Sequence, residues 1–135
     1  MTILGGLDLG TSGCKLSVYD DGGLIARARA AYPATRSGGR HSLDANAVWR
    51  AAKSLFREVI GNNRRVAAME AVSVSSFGEA GVPLDARGMV LGESALFSDA
   101  RGGEEAAGIA EKLGDDRIRF LCGVAPHPMY TVCKL

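Results

Sequence analysis

Apolar and polar positions divide residues 3–32 into three short segments. Ile3, Leu4 and Leu7 lead to Asp8 and Leu9, four small residues follow (Gly10, Thr11, Ser12, Gly13), and alternation resumes at Lys15, Leu16, Ser17 and Val18. That order predicts strand, tight turn, strand, a β-hairpin. Asp20-Asp21-Gly22-Gly23 is a turn signal. It precedes a third strand over residues 24–32, with Leu24, Ala26, Ala28 and Ala30 on one face and Arg27 and Arg29 on the other. Residues 33–43 are polar with little pattern and are expected to form a loop.

Asp44 then has the chemistry of a helix N-cap. Val48, Ala52, Leu55 and Val59 recur at helical spacing, Trp49, Phe56 and Ile60 widen the stripe, and Gly61 is a stop. This predicts a core-facing amphipathic helix. Trp49 is expected in the core, because large aromatic side chains dominate core burial. Residues 69–75 read as a fourth strand, reached by a crossover and therefore parallel to the first. Ser76-Phe77-Gly78-Glu79 breaks that pattern. Residues 80–84 and 89–97 read as extended segments around the turn Asp85-Ala86-Arg87-Gly88. Glu104 and Glu105 suit the first turn of a second helix. Ala106, Ile109, Ala110 and Leu113 form its apolar face, and Gly114 ends it. Residues 115–128 are expected to be mostly loop, and residues 129–135 to begin a helix.

The 135 residues suffice for one domain with its own core. Apolar residues make up 47% and charged residues 23%, a globular balance. A net charge of +1 gives no support for nucleic acid or an anionic membrane as a partner. The three cysteines, Cys14, Cys122 and Cys133, form no C-x-x-C pair. They point to a reducing cytoplasm rather than a disulfide framework or a zinc site. His41 and His127 have no ligand-spaced partner and are expected to be loop residues. Cys14 is expected to be a small strand residue, since no base stands near it.

The chemistry concentrates at the first bend. Glycines allow backbone N–H groups to approach an anion and permit positive φ. Successive N–H groups in such a turn can form an anion-binding nest. Thr11 and Ser12 add hydroxyls and Lys15 adds positive charge. Asp8 would repel a phosphate unless a cation lies between them. A hard divalent ion that keeps its waters, such as Mg²⁺, reconciles the two. The hairpin therefore suggests binding of a Mg²⁺-nucleotide phosphate. It is not a Walker A loop, since no G-x-x-x-x-G-K-[ST] occurs, nor a dinucleotide fingerprint, because a strand follows the turn where that motif needs a helix. An ordinary glycine-rich hairpin with an exposed Asp8 is the alternative.

Three antiparallel strands, a helix, a parallel strand and a further helix resemble the ribonuclease-H-like fold of sugar kinases and actin-like ATPases. That fold is an α/β mixed sheet with flanking helices. The segment from Asp8 to Lys15, D-L-G-T-S-G-C-K, resembles the first phosphate motif of that superfamily. Ser76-Phe77-Gly78-Glu79 lies where the FGGY carbohydrate kinases carry a substrate loop. Ala95 to Arg101, A-L-F-S-D-A-R, and Gly123 to Leu135, ending in Lys134-Leu135, are similar to two further elements of that family. The chain is identified as a member of it, similar to xylulokinases and gluconokinases.

The resemblance implies ATP-dependent phosphorylation of a sugar or polyol hydroxyl. It assigns Asp8, Gly10, Thr11, Ser12 and Lys15 to the nucleotide phosphates, with Asp8 holding Mg²⁺ through water. Phe77, Gly78, Glu79, Asp99 and Arg101 are assigned to the sugar. A carboxylate suits that task, since charge-assisted hydrogen bonds to hydroxyls are strong. Asp99 and Arg101 could instead form a loop ion pair with a helix cap, and Glu79 a surface acid. Phe77 stands where other members carry a polar or basic side chain.

The family's catalytic base and adenosine site lie beyond residue 135, so no catalytic residue is assigned here. Residues 1–135 are expected to be the N-terminal part of an incomplete first domain. The missing C-terminal part of the kinase would be its partner. Left alone, the fourth strand should be an exposed edge through which two copies could pair. A stand-alone binding or assembly module that reuses the fold without catalysis is the competing reading.

Overall fold

The computed structural model describes residues 1–134, whose chain gathers into two compact units. The strands in chain order are β1 (Leu4–Leu9), β2 (Gly13–Asp20), β3 (Gly23–Ala31), β4 (Ala34–Ser37), β5 (Arg40–Leu43), β6 (Ala71–Ser76) and β7 (Ser94–Ala95). The α-helices are α1 (Ala45–Asn62), α2 (Gly103–Leu113) and α3 (Asp115–Cys122). The first unit comprises Met1–Ala34 and Asp44–Phe77, and the second comprises Thr35–Leu43 and the chain from Gly78 onward.

The first unit is a four-stranded mixed sheet in the order β3-β2-β1-β6. β1 pairs antiparallel with β2 and parallel with β6, as the strand-helix-strand order predicts. Period-two alternation sends Leu7, Cys14, Leu16 and Val18 inward, and these four are buried. Their neighbours Asp8 and Lys15 face the other way and are exposed. Asp44 caps α1, its Oδ1 accepting the Asn46 N–H at 2.8 Å. Ala52, Leu55 and Val59 form the buried stripe of α1, which packs over β3 and β2. Burying side chains such as Leu16, Leu55, Val18 and Val59 stabilises the unit by roughly 2 kcal/mol each.

Trp49 is not in this core. It is 62% exposed, beside the stripe rather than on it, and Lys53 Nζ sits 5.3 Å from its ring centroid. The stripe is narrower than the sequence suggested, because α1 covers only part of the sheet. Val72 and Val74 stand in register with Gly5 and Leu7 on the α1 side, yet they are 38% and 58% exposed. All six residues of β6 are exposed, and among the described residues β6 has a neighbouring strand on one side only.

The second unit contains a small sheet in the order β4-β5-β7. Residues 33–43 are therefore not a loop. Gly38 and Gly39, at φ 54° and 82°, form a two-residue turn of the kind that joins hairpin strands. Polar residues on both sides of this turn hid the strand pattern. β7 pairs antiparallel with β5, Ser42 facing Ala95 and Leu43 facing Ser94. Before it, Leu84 and Val90 form a bridge across the turn at Asp85, as the extended segments there predict.

Glu104 and Glu105 lie in the first turn of α2, and Gly114 ends it. Residues 115–122 are the helix α3 rather than loop. Its only buried side chain is Ile118, while Phe120 is 87% exposed, so no apolar stripe announced it. Asp115 and Asp116 in its first turn suit the helix dipole. A short 3₁₀ turn spans Thr131–Lys134. The helix expected over residues 129–135 is reduced to that turn, and Leu135 lies outside the described residues.

Gly102 is the position in this unit that most needs its residue type. Its φ is 88°, and a Cβ there would lie 2.3 Å from the Cys133 carbonyl oxygen. Gly102→Ala combines the left-handed penalty with that collision and should cost about 2 kcal/mol or more. Denaturant unfolding read by circular dichroism checks this, and a variant as stable as the parent would contradict the packing described.

Candidate functional site

Within the first unit, Gly10 N–H donates to Gly13 O at 2.9 Å and closes the bend between β1 and β2. Neither glycine has positive φ, contrary to the reason the sequence suggested for them. Gly13 is required by proximity instead: a Cβ there would stand 2.6 Å from the Ala30 carbonyl oxygen. Tyr32, at the end of β3, holds the bend from below. It is 6% exposed, and its hydroxyl donates to Gly10 O at 2.6 Å. Burial, with smaller contributions from Cys14 and Asp8, pushes its phenol up to about 12, so it remains a donor at any physiological pH.

Among the described residues, the backbone N–H groups of Thr11 and Ser12 donate to no protein acceptor, and neither hydroxyl is engaged. Asp8 is directly opposite Lys15, their charged groups 3.7 Å apart with half or more of each side chain exposed. Asp8, Gly10, Ser12, Gly13, Lys15 and Arg29 border one open hollow of about 440 Å³. Four of the five predicted phosphate residues line it, and Thr11 lies within the same bend.

Among the described residues no three metal-ligating side chains cluster. One half-exposed carboxylate beside free N–H groups fits a hard divalent ion that keeps several waters and shares phosphate oxygens. Asp8 is the residue that would hold it. Cys14 is buried in β2, with its thiol pushed up chiefly by burial, and has no base beside it.

Phe77 belongs to the same end of the same sheet. Its N–H donates to Leu9 O at 3.1 Å, one residue before the bend. The chain passes into the second unit at Gly78. Glu79 is the one described non-glycine residue with positive φ, at 55°. Such a conformation costs about 1 kcal/mol or more and persists only where the surroundings hold it. Here the Glu79 carboxylate accepts the Thr131 N–H at 2.7 Å.

Asp99 is the electrostatic centre of the second unit. Its side chain is fully buried, and each carboxylate oxygen accepts two hydrogen bonds. Oδ1 takes the Arg101 N–H at 2.9 Å and Nε at 2.8 Å. Oδ2 takes the His41 N–H at 2.7 Å and Arg101 Nη2 at 2.7 Å. The Arg101 guanidinium, aided by the two backbone N–H groups, holds the carboxyl well below the usual range against the opposing effect of burial. Arg101 is raised in turn, first by its bonds to Asp99. Asp99 does not cap α2, since Gly102 occupies that position.

Arg101 Nη1 keeps no partner among the described residues, and Arg101 borders an open hollow with Glu93, Thr131 and Lys134. Lys134 Nζ donates to the carbonyls of Leu96 and Met129, and burial lowers its pKa. Thus Glu79, Asp99 and Arg101 are all tied into one unit, while Gly78 is an exposed linker residue.

Sequence reasoning missed two structural supports of these sites. Tyr32 was read only as the end of a strand. His41 was expected in a loop, but it is buried in β5 and bonded through Nδ1 to Ser98 Oγ. The contacts of both residues join positions far apart in the sequence, which local patterns do not register. His127 does lie in a loop, its Nδ1 accepting the Met129 N–H.

Residues 3–135 match the model of the FGGY family of carbohydrate kinases, N-terminal domain. Among solved structures, the chain is similar to a xyloylose kinase from Brucella ovis, at 26% identity and a TM-score of 0.88, over 98% of this chain and 28% of that one. It is also similar to a ligand-bound xylulose kinase from Lactobacillus acidophilus, at 20% identity and a TM-score of 0.84, over 99% and 27% of the two chains. A glycerol kinase from Plasmodium falciparum solved with ADP gives 16% identity and a TM-score of 0.86, over 99% and 28%. The last two likenesses speak for the fold alone. The chain spans about 28% of the length of the first of these proteins. No curated protein matches it by sequence.

The Asp99 cluster predicts a pH-dependent stability. A depressed carboxyl contributes stability that is present above its unfolded pKa of about 3.9 and is lost as pH falls. Arg101→Leu removes the largest cause of that depression. It should cost about 2 kcal/mol at pH 7, below the figure for a fully buried pair because Arg101 is 38% exposed. The deficit against the parent should shrink as pH falls through about 4. Denaturant titrations across pH check this, and a deficit independent of pH would contradict it.

Proposed function

Because the chain belongs to the FGGY family of carbohydrate kinases, we propose that it carries phosphate- and acceptor-binding elements of an ATP-dependent kinase acting on a sugar or polyol hydroxyl. In this reading residues 1–135 are the N-terminal part of that enzyme's first domain, a placement supported by the 28% coverage of its relatives. The remainder of the kinase is its partner. The observation that carries the reading is the bend itself: Thr11 and Ser12 N–H groups that meet no acceptor among the described residues, beside Lys15 and a half-exposed Asp8 carboxylate suited to a hydrated divalent ion.

Phosphoryl transfer is mostly positioning and charge stabilisation. Gly10, Thr11 and Ser12 present backbone and hydroxyl donors to the phosphates, and Lys15 adds positive charge. Asp8 would hold a hydrated Mg²⁺, which when bound would supply charge neutralisation at the phosphate oxygens. Phe77 and Gly78 lead into the acceptor loop, and Glu79 accepts from acceptor hydroxyls. Asp99 acts by fixing Arg101, whose unpartnered Nη1 is the donor available to the acceptor. The assignment of the base to a residue outside this stretch follows the family.

No helix among the described residues is long and apolar enough to cross a membrane. Three free cysteines suit a reducing cytoplasm, which we take as the compartment. The uncovered β6 edge supports pairing of two copies where nothing else covers it.

The test is ATP-dependent phosphorylation by the product of the complete reading frame, across a panel of pentuloses, aldonates and polyols. One acceptor class should turn over. Asp8→Ala should lower kcat at least about 100-fold with an unchanged circular dichroism spectrum. Unchanged turnover would remove Asp8 from the site. A parent protein inactive on the whole panel would favour a binding module without catalysis.

A further inference from the structure

A second basic residue reaches the same hollow, and neither motif nor pattern singled it out as functional. Arg29 on β3 is directly opposite Lys15 on β2, which is directly opposite Asp8 on β1. Side chains in direct register on one face are neighbours. The three therefore form one row, minus, plus, plus, across three strands. Arg29 and Lys15 both border the hollow at the bend.

The charges in that row do not balance. Asp8 and Lys15 face each other at 3.7 Å and offset one another. Arg29 is exposed and has no carboxylate within ion-pair distance among the described residues. Glu58 on α1 borders a neighbouring hollow together with Arg29 but forms no ion pair with it. Like charges directly opposite are unfavourable in a sheet, and Arg29 faces Lys15. An anion between them would relieve that repulsion. An Arg fork suits phosphate oxygens, which it can grip with two parallel N–H bonds.

We propose that Arg29 is a phosphate-binding residue of this site, pairing with Lys15 to clamp the polyphosphate chain rather than a single phosphate group. The inference rests on the reading of the bend as a nucleotide-phosphate site. Lys15 alone can do no more than offset Asp8. The surplus positive charge that draws a polyanion into the hollow comes from Arg29. Its exposure means that it contributes little to the fold, so its removal should act on binding.

The experiment measures binding of inorganic tripolyphosphate, orthophosphate and Mg²⁺-ATP to the full chain by calorimetry, for the parent, Arg29→Gln and Arg29→Lys. The parent should bind tripolyphosphate and ATP. Arg29→Gln should weaken both about tenfold, orthophosphate binding should change little, and Arg29→Lys should recover part of the loss. Thermal unfolding of all three should coincide. Parent-like affinity in Arg29→Gln, with binding still lost on Asp8→Ala plus Lys15→Ala, would overturn the role of Arg29 and leave the bend as the phosphate site. An equal loss for orthophosphate and tripolyphosphate would reduce Arg29 to general surface charge and also overturn it. A parent that binds neither ATP nor tripolyphosphate would overturn both readings together.

Discussion

The bond from Phe77 N–H to Leu9 O, 3.1 Å long, is the last rung of the parallel ladder between β1 and β6. It fixes where the chemistry of the first unit can occur. Parallel strands finish at the same end of a sheet, so the bend after β1 and the segment after β6 emerge side by side. In open α/β sheets ligands bind outside the carboxyl ends of strands, where loops and free backbone groups gather. An antiparallel β6 would have sent Phe77 to the far end and separated the two stretches. The helix α1 makes the parallel pairing possible, since parallel strands need a long crossover.

The bend is held rigid from within the sheet. The buried hydroxyl of Tyr32 grips the Gly10 carbonyl, and Gly13 lies too close to the Ala30 carbonyl for any side chain. The donors of Thr11 and Ser12 are thereby kept out of the protein's own hydrogen-bonding network. A solvent-facing donor on a turn costs folding little, because water satisfies it, and is useful for binding, because no protein bond must be broken when an anion arrives. The second unit uses the opposite device. Asp99 is fully buried and fully satisfied, so its charge is spent on orienting Arg101 and anchoring β5 through His41.

The parts of this fold that alternate cleanly were readable from the chain. The first hairpin and α1 carry a strong local period, and Asp44 and Gly114 marked helix ends by their own chemistry. The third strand was placed, but Leu24, expected on the face of buried Ala28, is exposed because the register with β2 shifts beyond Val18. The β4–β5 hairpin was not readable, because its strands carry polar residues on both sides of Gly38-Gly39. α3 hid for a related reason: with only Ile118 buried, its pattern has no stripe. Trp49 misled because hydrophobicity says what a side chain prefers, while the width of the covered sheet decides what it gets. Of the candidate site, the small residues of the bend were legible. Its supports were not, since Tyr32 meets Gly10 across 22 residues and His41 meets Asp99 across 58.

The central claim is that a metal-bridged polyphosphate is held at residues 8–15. Titration of the ¹⁵N-labelled chain with Mn²⁺-ATP tests it most directly, because the paramagnetic ion broadens only nearby amide signals. The account predicts selective loss of the Asp8, Thr11, Ser12 and Gly13 amide signals at low metal ratios, with those of the turn at residues 20–23, at the other end of the same strands, unaffected. Broadening that spares the bend, or that spreads evenly over the chain, would contradict it.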